Sequence, residues 1–226
     1  MVNKSKIVNR GLFVVFEGIH GCGKSTQVEL LYKRLMEDRF SVVVTKEVKD
    51  TPLAEEIYRV AFQDGSEAFE NSLIMTLLIA ASRASRVNKL IKPALMENKI
   101  VIGDRYEGSM LIYQYFCQGV NYRFVRKLNE YVTNGIHADI TFVLDVDPRV
   151  AHTRRVLRIG FQRKLSGWDA KDEKFHRRSR IGYLTFAKSE PGWILIDGTR
   201  LPEEIASEIY SKTTNLIKLK NEQRDT

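Results

Sequence analysis

Eight residues near the amino end constrain this chain more than anything else in it. Gly18-Ile19-His20-Gly21-Cys22-Gly23-Lys24-Ser25 spells G-x-x-x-x-G-K-[ST]. A β-branched and aromatic run, Leu12 to Glu17, precedes the motif and reads as a buried strand. Val28, Leu31 and Leu35 follow at helical spacing, which predicts a helix from Lys24 to Met36. Strand, glycine loop and helix in that order are the setting the motif requires. The glycines let the backbone curl so that its N–H groups face phosphate oxygens, and the helix adds the positive end of its dipole. On this reading Gly18, Ile19, His20, Gly21, Cys22, Gly23, Lys24, Ser25 and Thr26 bind a nucleoside triphosphate. Lys24 reaches the β- and γ-phosphates and Ser25 ligates Mg²⁺. The chain carries neither Asn-Lys-x-Asp nor Asp-x-x-Gly, which GTPases use for guanine and the γ-phosphate, so ATP and a kinase are favoured.

The rest of the chain continues the alternation. Further strands are predicted at Ser41 to Thr45, Ile100 to Gly103, Ile140 to Asp145 and Trp193 to Ile196. Helices are predicted from Pro52 to about Phe62, Ala68 to Met96 with an interruption at Pro93, Ser109 to Tyr115, Tyr122 to Val132, Pro148 onward, Glu173 to Lys188, and Pro202 to about Leu219. Five short apolar strands separated by helices imply an α/β fold, a parallel sheet covered on both faces. Ligands bind such sheets beyond the carboxyl ends of the strands, where Glu17, Glu47, Asp104 and Asp145 fall. We expect one domain over residues 1–226, with a lid at about 159–170 around the loop from Gly160 to Gly167.

The formal charge is +8, and ten Lys or Arg against three Asp or Glu lie between Arg154 and Arg180. A local basic excess suits anionic partners or is simply a solvated face. Without interleaved aromatics or a recognised nucleic-acid fold, it is a poor fit to nucleic-acid binding. Cys22 and Cys117 lie too far apart in sequence to suggest a disulfide framework or a metal site. No apolar stretch is long enough to span a membrane, and Met1 to Arg10 is polar and basic, so a cytoplasmic protein is expected.

Several segments together resemble the thymidylate kinases. Phe16-Glu17-Gly18-Ile19 with Gly23-Lys24-Ser25-Thr26-Gln27 is similar to that family's opening motif. Asp104-Arg105-Tyr106, followed by Ser109, Tyr113 and Gln114, resembles its Asp-Arg-Tyr segment. Ile140 to Pro148 resembles its fourth strand, and Phe175-His176, Arg180 and Gly182-Tyr183-Leu184 the helix after its lid. The resemblance runs from about residue 12 to 210. It implies a P-loop NTPase fold with strand order 2-3-1-4-5, transfer from Mg-ATP to dTMP to give dTDP and ADP, and a homodimer packed through the long helix. In that scheme Asp104 holds Mg²⁺ directly or through water, and Arg105 bridges the donor and acceptor phosphates. Arg158 or Arg163 serves the transferred phosphate, because His20-Gly21-Cys22 in the loop offers no Arg or Lys. The resemblance sets Arg83 and Gln114 near the acceptor nucleotide and Glu47 near the magnesium or acceptor; Arg86 reads as a surface residue.

The acceptor side departs from the family pattern. His20 stands where an acidic residue is usual; it either pairs with the acceptor or caps a loop. Ile79 replaces a Phe that stacks on thymine, a loss for which Tyr106 or Phe69 is the candidate substitute. Lys46-Glu47-Val48-Lys49-Asp50-Thr51 replaces Arg-Glu-Pro-Gly-Gly-Thr. A related kinase with another nucleotide, nucleoside or small phosphorylated acceptor is therefore the competing reading.

Overall fold

The computed structural model describes residues 10–63, 65–159, 168 and 171–222. Its centre is a parallel sheet of β1 (Phe13–Glu17), β2 (Val42–Lys46), β3 (Ile100–Asp104), β4 (Ile140–Asp145) and β5 (Trp193–Asp197). The strands run in the order β2-β3-β1-β4-β5, as the resemblance implies. β1 is wholly buried and reads Phe-Val-Val-Phe-Glu. It pairs with β3 on one side and β4 on the other, so it is apolar on both faces. The register brings the carboxyl ends level: Lys46 and Phe16 both lie opposite Asp104, and Asp145 lies opposite Asp197. Charged residues thus collect along one edge of the sheet while Val, Ile and Phe fill its interior.

Helices cover both faces: α1 (Lys24–Glu37), α2 (Pro52–Phe62), α3 (Glu67–Glu70), α4 (Ser72–Arg86), α5 (Lys92–Met96), α6 (Glu107–Met110), α7 (Tyr122–Thr133), α8 (Pro148–Ile159), α9 (Glu173–Ser189) and α10 (Pro202–Glu222). Val14, Phe16, Phe142, Leu31, Leu35 and Ile209 fill one side of the sheet. Phe13, Val15, Val87, Ile91, Leu95 and Val101 fill the other.

Most predicted elements stand within a few residues of their expected ends. Within the long helix expected from Ala68 to Met96, α3 is set off from α4 at Asn71, and α4 continues into α5 through a wide π-turn at Val87–Ile91. Pro93 explains the break: it has no N–H to give, and its ring collides with the carbonyl four residues earlier unless the helix widens. Asn71 caps α4 by accepting from the N–H groups of Leu73 and Ile74, so α4 also starts afresh. The expected helix at Ser109 to Tyr115 likewise spans the end of α6 and a π-turn at Leu111–Cys117. Among the described residues, no helix is long and apolar enough to cross a membrane.

Candidate active site

The glycine motif forms a tight loop between β1 and α1. Gly18, Gly21 and Gly23 all have positive φ, at 136°, 82° and 105°. A Cβ on Gly21 would lie 2.3 Å from the carbonyl oxygen of Ala151, so α8 is packed directly against the loop. A Cβ on Gly23 would meet nothing within 4 Å. On that side the loop opens onto a cavity that Gly21, Gly23, Lys24 and Ser25 line, next to the N-terminal turn of α1. Lys24 is buried, and its ammonium donates to the carbonyls of Gly18 (3.1 Å) and Ile19 (2.8 Å). Burial and then Arg105 lower its pKa, while Cys22, Asp104 and Glu17 act in the opposite direction.

Ser25 Oγ donates to Asp104 Oδ2 at 2.9 Å. Burial pushes the Asp104 carboxyl up, but Lys24, Arg105, the Ser25 bond and Lys46 together outweigh it, and the group lies below its ordinary value. A hydroxyl and a carboxylate side by side are hard oxygen donors of the kind Mg²⁺ accepts. No group of three or more His, Cys, Asp or Glu suited to a metal occurs among the described residues. A Mg²⁺ that arrives with nucleotide phosphates and water requires no such cluster.

Two cavities open on this edge of the sheet. One, of about 470 Å³, is lined by the phosphate loop, Lys46, Lys49, Asp104, Arg154, Arg155 and Arg158. The other, of about 170 Å³, is lined largely by Val48, Phe62, Ile79, Met110, Tyr113, Gln114 and Trp168. His20, Glu47, Tyr58 and Arg105 line both and form the wall between them. A cavity rich in cationic side chains and an apolar, aromatic one therefore share a boundary. A third cavity, of about 370 Å³, lies near Arg126, His137, Glu190 and Trp193 and has no phosphate-loop residue in its lining.

Arg105 is held firmly at the shared boundary. One of its terminal nitrogens donates to Gly18 O (3.0 Å), Ser109 Oγ (3.1 Å) and Tyr183 OH (3.0 Å). Behind it Glu17 is fully buried and accepts from the N–H of Tyr106, the N–H and hydroxyl of Ser109, and the hydroxyl of Tyr183, at 2.8–3.0 Å. Burial raises the Glu17 pKa; Arg105 and these donors partly restore the charged form. The sequence places Glu17 at the ligand-facing end of its strand without a role, and Tyr183 only within a family-like segment. The sequence offered one clue, an acidic side chain ending an otherwise apolar strand immediately before the glycine loop.

The structure gives the remaining residues singled out from the sequence the following surroundings. Arg83 is fully buried and faces the interior. Its Nε donates to Glu47 Oε1 at 2.8 Å, and its terminal nitrogens donate to Asn129 and to the carbonyl of Tyr106. It lines neither of the two adjoining cavities itself and touches their walls through Glu47 and Met110. Arg86 is not a surface residue: it is also fully buried, with Nε donating to Thr45 Oγ1 and one terminal nitrogen 3.4 Å from Glu47. One carboxylate thus organises two interior guanidiniums. Tyr106 does not replace the missing ring at Ile79. Its hydroxyl donates to Ile136 O at 2.8 Å and its ring packs edge-on against Phe13, on the far side of the sheet. Phe69 lines neither cavity but contacts Phe62 and Trp168, which do line the apolar one. Asp145 is engaged by Arg180 through two hydrogen bonds of 2.6 and 2.9 Å.

Gln114 is fully buried in the apolar cavity, and neither its amide nitrogen nor its amide oxygen has a partner among the described residues. Arg158 is exposed and lines the phosphate cavity, as does Arg154; Arg155 is buried and donates to the carbonyl of His20 at 3.0 Å. A row of arginines in sequence did not reveal that the middle one braces the loop. Arg163 and nearly all of the expected lid at about 159–170 lie outside the described residues.

A family model described as thymidylate kinase matches residues 16–209. A thymidylate kinase of Halothermothrix orenii is 40% identical over 210 residues, covering 92% of this chain and 99% of the relative. One of Symbiobacterium thermophilum is 36% identical over 199 residues, covering 88% and 90%, and one of Geotalea uraniireducens is 34% identical over 207 residues, covering 88% and 94%. With the parallel sheet in its 2-3-1-4-5 order and a phosphate loop abutting an aromatic cavity, the chain belongs to the thymidylate kinase family.

Proposed function

We propose that this chain catalyses the family reaction, transfer of the γ-phosphoryl group of ATP to dTMP to give dTDP and ADP, with the residue roles set out here. One observation carries the reading: a cationic phosphate cavity and a small aromatic cavity share a wall that contains Arg105. The reaction breaks the bond between the γ-phosphorus and its bridging oxygen and forms one to an oxygen of the acceptor phosphate. Two polyanions must come together, so alignment and positive charge matter more than acid–base work.

The phosphate loop and Lys24 hold the donor phosphates. In the structure Lys24 lies on loop carbonyls, neutral acceptors it can exchange for phosphate oxygens. Ser25 and Asp104 would hold Mg²⁺, which neutralises phosphate charge during transfer. Arg105 reaches both phosphates from the shared wall, and Arg158 and Arg163 supply further charge to the transferred group. The acceptor's base enters the apolar cavity, where the Gln114 amide meets its polar edge. Glu47 bounds both subsites, with Arg83 and Arg86 fixing its carboxylate from behind. Residues 159–170 act as the lid of a single kinase domain.

A homodimer is the assembled state we favour. Leu73 and Leu77, one turn apart on α4, are each about half exposed, and Leu53 and Val60 of α2 are similarly open. A second copy would cover them; sedimentation of the purified protein as a monomer would exclude this.

The activity is tested by incubating the purified chain with Mg-ATP and dTMP, dUMP, dCMP, dGMP, AMP or thymidine, and following ADP release. The expected result is the highest kcat/KM for dTMP. A clear preference for any other acceptor would overturn the assignment.

A further inference from the structure

The apolar cavity is lined and backed by a cluster of rings that is continuous with the core. Ile79 gives its α4 wall only an aliphatic surface. Trp168 lines the same space and is 7% exposed. Its indole lies nearly parallel to Tyr113, with centroids 5.5 Å apart and planes 13° apart. It is equally close to Phe175, at 5.5 Å and 6°. Tyr113 and Phe175 are themselves 5.9 Å apart at 9°, so three rings share one orientation. Phe69, at 5.1 Å, and Phe62, at 6.3 Å and nearly perpendicular, touch Trp168 from other directions. The indole plane is therefore set by residues from α2, α3, α9 and the turn after α6. A ring held this way loses little freedom when a flat ligand lies against it.

We propose that Trp168 is a specificity-determining residue of the acceptor site, the aromatic surface against which a pyrimidine base rests. This rests on the assignment of the apolar cavity to the acceptor. Tyr113 carries the same orientation to the wall beside Arg105, whose guanidinium lies 5.3 Å from the Tyr113 ring centroid. Gln114, the next residue in the chain, supplies the buried amide without a protein partner. A face for stacking and an edge for hydrogen bonding thus border one cavity of about 170 Å³. Stacking alone is tolerant of base identity; the amide restricts it.

The chain has two tryptophans, Trp168 and Trp193, and only Trp168 lines this cavity. The Trp193→Phe protein therefore reports on Trp168 by fluorescence. Titration with dTMP in the absence of ATP should quench or shift its emission, and AMP at the same concentrations should not. Trp168→Leu should raise KM for dTMP about tenfold or more, within the range of base–aromatic stacking. It should leave KM for ATP unchanged, and Trp168→Phe should restore most of the loss. An unchanged dTMP KM in Trp168→Leu, or an emission change that persists in Trp168→Phe with Trp193 intact, would overturn the proposal. Should Trp168→Leu not fold, the fluorescence titration and the Trp168→Phe kinetics still decide it. A wild-type chain that does not phosphorylate dTMP would refute the proposed function; one that does, with Trp168→Leu unaffected, would refute this inference alone.

Discussion

Replacing Gln114 by methionine should stabilise the free protein and weaken acceptor binding. The side chain is fully buried, and both ends of its amide lack a partner among the described residues. Leaving a buried polar group unsatisfied costs about 1–3 kcal/mol, and an unbranched apolar side chain of similar length removes that cost. For a protein of this size each kcal/mol moves Tm by roughly 2–4 °C, so the ligand-free variant should melt about 2–12 °C higher. In the complex the sign reverses. The base edge that met the amide would now lie buried without a partner, a loss of about 1–3 kcal/mol, or roughly 5- to 150-fold in KM for dTMP. KM for ATP should not move. The two halves are measured separately, by calorimetric melting without nucleotide and by steady-state kinetics at saturating Mg-ATP. Lower melting with an unchanged dTMP KM would show that the amide serves the core and does not face the acceptor.

Lys24→Ala and Arg105→Ala should each lower kcat by about a hundredfold or more with the circular-dichroism spectrum retained, since pre-placed charge carries phosphoryl transfer. Near-normal turnover in either would break the role assignment. Glu47→Gln removes the charge shared by two fully buried arginines and should cost about 3–5 kcal/mol in urea unfolding. A loss below about 1 kcal/mol would mean the pair is not a structural unit. His137 has its pKa raised by its hydrogen bond to Glu107. The stability this pair contributes is complete below the ordinary imidazole value of 6.5 and is lost as pH rises above it through the folded-state value. His137→Gln should therefore narrow the gap to wild type as pH rises; a gap that widens between pH 6 and 9 would reverse the assignment.

The parts of the fold that read directly from the sequence are those governed by local rules. Five strands, the phosphate loop and most helices follow from apolar runs, glycine spacing and cap residues that act within a few positions. Pro93 marked a disturbance correctly, yet whether a proline kinks, stops or widens a helix depends on what packs against it. The buried arginines were less accessible still. Arg83 in an apolar helix invited a functional reading, because an interior guanidinium needs a partner and none lies nearby in sequence. Its partners, Glu47 and Asn129, are 36 and 46 positions away. Trp168 was hidden for the same reason: its ring neighbours come from four separate stretches of chain. Glu17 was legible only in outline, since its position could be seen and its ring of donors could not.

What a cation is bonded to separates scaffold from machinery here. Arg83 lies against Glu47, and Arg180 against Asp145 and Asp147. Their charges are offset within the protein, so their field at the cavities is weak. Lys24 donates to two carbonyls, and Arg105 to one carbonyl and two hydroxyls. Neutral acceptors satisfy the geometry of these donors and leave their charge. Glu17, 3.7 Å from Arg105, offsets part of it, but burial works against the ionised carboxyl and hydrogen bonds from Ser109 and Tyr183 disperse what charge it carries. Two such cations at one sheet edge repel one another: burial first and then Arg105 lower the Lys24 pKa. Polyphosphate relieves that repulsion. Cationic charge left at this edge therefore favours anions there, and what the first phosphate leaves uncancelled remains for the second.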